Sequence, residues 1–407
     1  MSVSPTSKTL NIGETVQLTG TKNPTSASEG TQWTSSNTGV ATVSGSGLVT
    51  AKAAGTATIT FKNSSSTKSA SCTITVLNKN IIVGDSLNGY LMKIDTNGNL
   101  VWYKYTQNLI RGGGVNISAL CIAPDGNIIV GDSLNGYLMK IDTNGNLVWY
   151  KYTQNLIRGG GVNISALCIA PDGNIIVGDK LNGYLMKIDT NGNLVWYKYT
   201  KDLIRGGGVN ISALCIAPDG NIIVGDSLNG YLMKIDTNGN LVWYKYTQNF
   251  IRSGGVNISA LCIAPDGNIM VGDSLNGYLM KINTNGNLVW YKYTQNFIRS
   301  GGVNISVLCI APDGNIIVGD SLNGYLMKID TNGNLVWYKY TQNFIRSGGV
   351  NISALCIAPD GNIIVGDSLN GYLMKIDTNG NLVWYKYTQN FIRSGSVNIS
   401  ALCISKN

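Results

Sequence analysis

The chain ends on "ALCISKN" (residues 401–407), the opening of a phrase that runs further elsewhere: "ALCIAPDGNIIVGDS" begins at Ala119, and close copies of it recur down the sequence. After the first 77 residues the repeats open on "NKNIIVGDS" (residues 78–86), where the "ALCI" portion is missing. What the end carries, the beginning lacks. An open solenoid has no use for complementary halves and instead needs polar capping repeats, of which none is visible. A closed ring zipped by its own two ends needs exactly such halves.

The period is 47 residues, marked by Trp102, Trp149, Trp196, Trp243, Trp290, Trp337 and Trp384, and seven copies fill residues 79–407. Within a copy, Asp125-Gly126, Asn135-Gly136 and Asn144-Gly145 separate four β-rich runs, "SALCIA", "NIIVGDS", "YLMKIDT" and "NLVWYKYT". Asn-Gly and Asp-Gly favour two-residue hairpin turns with positive φ at both positions. Each copy therefore reads as a four-stranded meander, and the longer "QNLIRGGGVNI" joins it to the next. The runs "ALCIA" and "NIIV" lack polar alternation, which suits strands covered on both faces by neighbouring sheets. The expected fold is all-β: a seven-bladed β-propeller at residues 78–407 whose first blade, residues 80–106, is completed by an innermost strand from residues 399–405. This overlap resembles the "velcro" closure of propeller families.

Residues 1–77 are a different kind of sequence, with short alternating runs such as "TVQLTG", "VATVSG", "TATITF" and "CTITV" between Gly, Asn and Ser turns. That pattern is expected of a β-sandwich. The stretch from "LNIGETVQLT" through "WTSSNTGVATVSGSGLVTAKAAGTATIT" to "SASCTITV" closely resembles the bacterial Ig-like domain of group 2. The resemblance implies a spacer or adhesive module of bacterial surface or phage proteins and transfers no catalytic residues. In the ring, "KIDTNGNLVWYKY" resembles the Trp-bearing fourth strand of quinoprotein-like propellers, which implies that Asp95, Gly98, Trp102 and their copies dock one blade on the next. The repeat layout is also similar to tachylectin-type propeller lectins, an analogy of architecture rather than motif.

Composition narrows the partners. The net charge of +8 divides as +3 for residues 1–77 and +5 for the rest, with Lys93, Lys104 and Arg111 interleaved among Asp85, Asp95 and Asp125 in each repeat, so nucleic acid is not an expected partner. No apolar run is long enough to cross a bilayer as a helix, and membrane insertion is not expected. "MSVSPTSKTL" carries no secretory signal, so an exported parent would make this chain a mature or recombinant fragment. Seven of the eight cysteines occupy the "ALCI" slot as small buried hydrophobes, and Cys72 stands apart, so neither a disulfide framework nor a metal site is expected. "DTNGN" (residues 95–99) places oxygens at alternate positions as a calcium loop does, but it lacks the later carboxylate, and the turn reading is preferred.

Residues 78–407 contain no Glu and no His, and sevenfold repetition works against an acid and a base with unlike pKa values, so no catalytic residues, no cofactor and no enzyme activity are expected. The single departures Lys180, Lys201, Asp202, Met270, Asn283 and Val307 read as drift. The face carrying "GDSLNG" and "TQNLIRGGG" is the candidate ligand-binding surface. Its residues are Asp85, Asn88, Asn108 and Arg111, with the further arginines Arg158, Arg205, Arg252, Arg299, Arg346 and Arg393. Amide, carboxylate and guanidinium groups beside aromatic rings can hydrogen-bond and stack on sugars. The alternative is that they only order the inter-blade loop, with Arg111 pairing with Asp85. The expected role is a monomeric, non-enzymatic, extracellular or cell-surface module whose ring binds a glycan or other surface ligand. The rival readings are a protein-interaction or structural scaffold and, third, a cofactor-dependent quinoprotein-like enzyme.

Overall fold

The structure is a computed structural model of the 407-residue chain, and it describes every residue except 26–27, 66, 78, 111–112, 158–159, 205–206, 252–253, 299–300, 346–347, 393–394 and 407. Two compact units divide it, one spanning Met1–Asn80 and the other Ile81–Lys406.

In the first unit a four-stranded sheet runs in the order Ser7–Asn11, Ser69–Leu77, Gly55–Asn63, Thr31–Ser35, and a three-stranded sheet in the order Thr15–Gln17, Leu48–Ala51, Ala41–Val43. The period-two pattern of the sequence decides which side chains are inside. Along Gly55–Asn63 the buried positions include Ala57, Ile59 and Phe61, and along Ser69–Leu77 they are Cys72, Ile74 and Val76. Trp33 closes one end of this core against Phe61, ring centroids 4.8 Å apart.

The second unit is seven four-stranded antiparallel sheets. In one blade the strands are Ile117–Ile122, Ile128–Asp132, Tyr137–Ile141 and Leu147–Tyr152, in that spatial order. The innermost strand of each blade packs against those of both neighbours, and Ile399–Ile404 touches Ile352–Ile357 on one side and Ile117–Ile122 on the other, which closes the circle. The first blade has the order Leu100–Tyr105, Tyr90–Ile94, Ile81–Asp85, Ile399–Ile404. Its seam has the register Ile81 to Ile404, Val83 to Leu402 and Gly84 to Ala401, equivalent to Ile128 to Ile122, Val130 to Leu120 and Gly131 to Ala119 inside the next blade. The two halves noticed at the sequence ends therefore form one ordinary blade.

Every second strand is buried along its whole length, as in Ile128–Asp132. Gly131 is what lets the next blade approach: a Cβ there would lie 2.5 Å from Ile164 Cγ2. A circle of hydroxyls ties the inner strands together. Ser118 Oγ donates to the Ile164 carbonyl of the next blade, the pattern repeats at Ser165, Ser212, Ser259, Ser306 and Ser353, and Ser400 closes it on Ile117.

The turns are wider than the sequence predicts. Gly126 N donates to the Ala123 carbonyl while Ala123 N donates to Asn127 O, and Gly145 N with Asp142 does the same. This is a four-residue reverse turn whose last residue is a left-handed glycine (φ 87° at Gly126, 84° at Gly145), so three residues rather than two separate the paired ends. Beyond the second turn the register shifts between Lys140 and Ile141, which pair with Trp149 and Leu147, so Val148 is a bulged residue of the outer strand.

The "DTNGN" turn is the docking point between blades. Asp95 Oδ1 accepts from Asn97 N at 2.9 Å and Asn99 N at 2.8 Å, so its carboxylate is spent on the turn. Asn283 makes the equivalent bonds without a charge. The Thr143 carbonyl of this turn accepts from Trp102 Nε1 at 3.2 Å and Lys93 Nζ at 3.0 Å of the preceding blade, and Gly145 packs under Lys104 and Trp102. Around the ring Trp384 and Lys375 reach Thr96 O in the same way. In six blades the buried lysine also pairs with the aspartate of the inner turn, as in Lys140 to Asp125 at 2.7 Å. Burial pushes the Lys93 ammonium below the usual lysine range, partly offset by Asp142.

Two outcomes follow. Ending the chain at residue 398 removes the inner strand of the first blade, including fully buried Ile399, and should lower the stability of the ring by at least about 2 kcal/mol in urea titrations; an unchanged midpoint would show that the seam is dispensable. Partial burial raises the Asp125, Asp172, Asp219, Asp266 and Asp313 carboxyls, but their lysine partners and backbone N–H groups outweigh it and hold them below the usual range. The stability they contribute is complete above the unfolded value of about 3.9 and is lost as pH falls through the depressed folded values. Melting temperature should drop through that acidic window, with a flatter profile when the five are changed to Asn.

Candidate functional site

One face of the ring is built where second strands end. In each blade the strand finishes on Gly-Asp and turns through Ser-Leu-Asn-Gly, and the outer strand returns to the same place: Thr153 Oγ1 of the short 3-10 helix Thr153–Leu156 donates to Gly136 O at 2.7 Å.

Asp85, predicted as a ligand contact, is wholly buried. Its Oδ1 accepts from Asn398 N at 2.8 Å and Leu87 N at 3.0 Å, and its Oδ2 accepts from Asn88 N at 3.0 Å. A carboxylate taken out of water must be satisfied by donors, and here backbone amides do it. Asp85 is thus corrected from a ligand contact to the residue that ties the "GDSLNG" loop to the entry of the inner strand. In the blade of Asp273, burial raises the carboxyl above its ordinary value against the pull of the Asn257, Leu275 and Asn276 amides. Asn88 is half-buried, and its Nδ2 donates to Ser396 O at 2.7 Å, bridging the loop to the glycine-rich link. Asn108 is exposed on the 3-10 helix Thr106–Leu109. Arg111, Arg158, Arg205, Arg252, Arg299, Arg346 and Arg393 lie outside the described residues.

Two features of this face escaped the sequence reading. Leu87 and its six copies are exposed, from 48% at Leu87 to 62% at Leu181; the apolar residue inside a polar loop was the available signal. The second feature is a tyrosine cluster on each blade. Strand pairing sets Tyr137 opposite Tyr152, and Tyr150, two residues earlier, shares that side of the sheet. The Tyr137 ring lies 5.2 Å from Tyr152 and 6.1 Å from Tyr150, the latter edge-on and 36% exposed. Tyr152 OH donates to Gln154 Oε1 at 2.8 Å. Burial, followed by the neighbouring Tyr152 and Tyr150, pushes the Tyr137 phenol up. In the blade of Tyr199, Lys201 Nζ sits 4.1 Å from that ring's centroid.

On the same face four adjacent blades form a vestibule of about 440 Å³ lined by inner-strand serines (Ser118, Ser165, Ser212, Ser259), loop serines (Ser133, Ser227, Ser274), Asn163 and Lys180. Lys180 occupies the position that is serine in the other six blades, and its backbone N bonds Asn163 O at 2.9 Å as Ser133 N bonds Asn116 O at 3.0 Å. The substitution leaves the loop unchanged and adds an exposed ammonium at the mouth. Deeper in, the channel is lined by Ala119, Leu120 and their counterparts.

The cysteines differ from expectation. Cys72 is buried in the sandwich, but the seven ring cysteines are half-buried rather than buried. Burial of the sulfur environment still pushes the Cys168 and Cys262 thiols up to about 12.

The family model of the bacterial Ig-like domain (group 2) matches residues 1–74. A comparison with curated proteins finds no match. Among solved structures, virginiamycin B lyase from Staphylococcus aureus aligns with a TM-score of 0.59 at 11% identity, over 70% of this chain and 88% of that one. A streptogramin B lyase aligns with a TM-score of 0.58 at 10% identity, over 71% and 94%. A Bacteroides fragilis protein for which 6-phosphogluconolactonase activity is proposed gives 0.57 at 16% identity, over 80% and 98%. At such identities the likeness shows the fold alone. It nevertheless corrects the expectation that the ring is not an enzyme, because lyases share this fold. The physical error was to equate a missing His and Glu with missing chemistry: Asp, Lys, Tyr, Cys and Ser all remain, and Lys180, Lys201 and Asp202 place unlike groups in one blade. No helix among the described residues is long and apolar enough to cross a membrane. The chain joins a module that matches the bacterial Ig-like domain (group 2) to a seven-bladed β-propeller.

Proposed function

We propose that the ring is a multivalent head for a repetitive surface glycan, carried with its Ig-like module outside the bacterial cell and acting as a monomer whose valency comes from its repeats. The observation that supports this reading is the recurrence, once per blade, of a tyrosine cluster with a partly exposed edge ring, accompanied in six of the seven by a neighbouring glutamine and an amide at the Asn108 position. Aromatic faces flanked by amides offer a sugar both stacking and directional hydrogen bonds. Asn88, Arg111 and the copies of that arginine are included among the proposed ligand contacts. Individually weak sites repeated around a ring gain by effective concentration when the ligand also repeats.

A second reading draws on the seven exposed leucines of the "GDSLNG" loops, which would suit a protein partner seated on the same face.

Glycan-array and polysaccharide pull-down measurements distinguish the two. The glycan reading expects a polymeric ligand to bind at least about 100-fold tighter than its monomer, with binding lost when the seven arginines of the Arg111 set are changed together to Ala. Absence of any glycan binding would overturn it. Capture of a purified surface protein that is lost when the seven leucines become Ser would favour the second reading instead.

A further inference from the structure

Seven near-identical blades make departures from the repeat informative. Three of the single departures, Lys180, Lys201 and Asp202, fall in one blade, and they are its charged ones. Lys201 is engaged with the Tyr199 ring at the rim. Lys180 is different: it lines the vestibule, and among the described residues it takes part in no salt bridge.

The vestibule is furnished for a hydroxylated molecule. Its inner-strand serines each give their proton to the next blade's carbonyl, as Ser165 does to Ile211, which leaves hydroxyl lone pairs as acceptors. Its loop serines are held loosely, Ser133 and Ser227 Oγ at 3.4 Å and Ser274 Oγ at 3.5 Å from their asparagine carbonyls, so their protons are free to turn to a better acceptor. Acceptors and rotatable donors in concentric arcs match the mixed donor and acceptor character of a sugar. The volume of about 440 Å³ falls within the range of small-molecule sites, roughly 300–1,000 Å³. Among the described residues its lining contains no carboxylate, and the one formal charge among them is the Lys180 ammonium.

We propose that the channel mouth is a binding site, one per ring and separate from the rim sites, for a small hydroxylated carboxylate of the sugar-acid class. The ammonium of Lys180 receives the carboxylate and the serine hydroxyls receive the ring hydroxyls. Because the site is unique while the rim is sevenfold, it gives the ring one distinguished side, formed by four adjacent blades.

The molecule provides its own control, since serine stands at this position in the six other blades and Lys180→Ser only restores the repeat. Calorimetric titration of the full chain with glucuronate should give saturable binding with a stoichiometry of one. Lys180→Ser should weaken it by about tenfold or more, and adding Ser227→Lys to that variant, which returns an ammonium to the same vestibule, should recover it. Glucose should bind the wild type and Lys180→Ser equally weakly, and acetate should bind more weakly than glucuronate because it lacks the hydroxyls. Equal glucuronate affinity in wild type and Lys180→Ser, a stoichiometry of seven, acetate binding as tight as glucuronate, or no saturable binding would each overturn the proposal. Polymeric-glycan binding at the rim is read separately and does not depend on Lys180.

Discussion

A four-stranded sheet with apolar residues on both faces cannot exist alone in water, and that constraint governs the ring. The second strand of every blade is buried throughout, so each sheet needs a neighbour on either side. Seven sheets satisfy the requirement only if the last meets the first. The seam between Ile81–Asp85 and Ile399–Ile404 is the place where this demand meets the fact that a chain has two ends. The other devices of the ring serve the same contact. Gly131 lets Ile164 come close, the serine hydroxyls stitch the inner strands, and Trp and Lys side chains clasp the carbonyl of the next blade's turn.

Much of this was legible in the residues because it is periodic. The tryptophan spacing counts the blades, the turn glycines mark the hairpins, and the truncated "ALCISKN" announces the closure. What stayed hidden depended on depth and direction rather than on pattern. Asp85 looks like a surface acid in a polar loop, and only the fold shows its oxygens filled by the backbone amides of Leu87, Asn88 and Asn398. Leu87 looks like core and is exposed. The turns at Asp125-Gly126 and Asn144-Gly145 hold one residue more than those pairs imply, because the pair names the left-handed glycine but not where the hydrogen-bonded turn begins.

Lys180 shows a different kind of blindness. In the sequence it is one substitution among several, indistinguishable from Met270 or Val307. In the fold it lines a vestibule shared by four adjacent blades, where serines of its neighbours face the same space. The mistaken exclusion of catalysis has the same root: symmetry was treated as a property of the site, although it belongs to the scaffold. A site shared by several blades needs only one of them to differ.

The equivalence of the closing seam and the internal seams has a further consequence. The closing blade lacks the inner turn and its Lys–Asp pair, yet its strands keep the register of the others, so the pairing of a blade does not record how many blades there are. The count is set by the angle between adjacent sheets, a property of packing shared equally by every copy. Gain or loss of a whole 47-residue unit leaves the same complementary edges, so unequal recombination of the gene would give an array whose ends still match but whose sheets must meet at a different angle to close. Curvature, not sequence, does the counting.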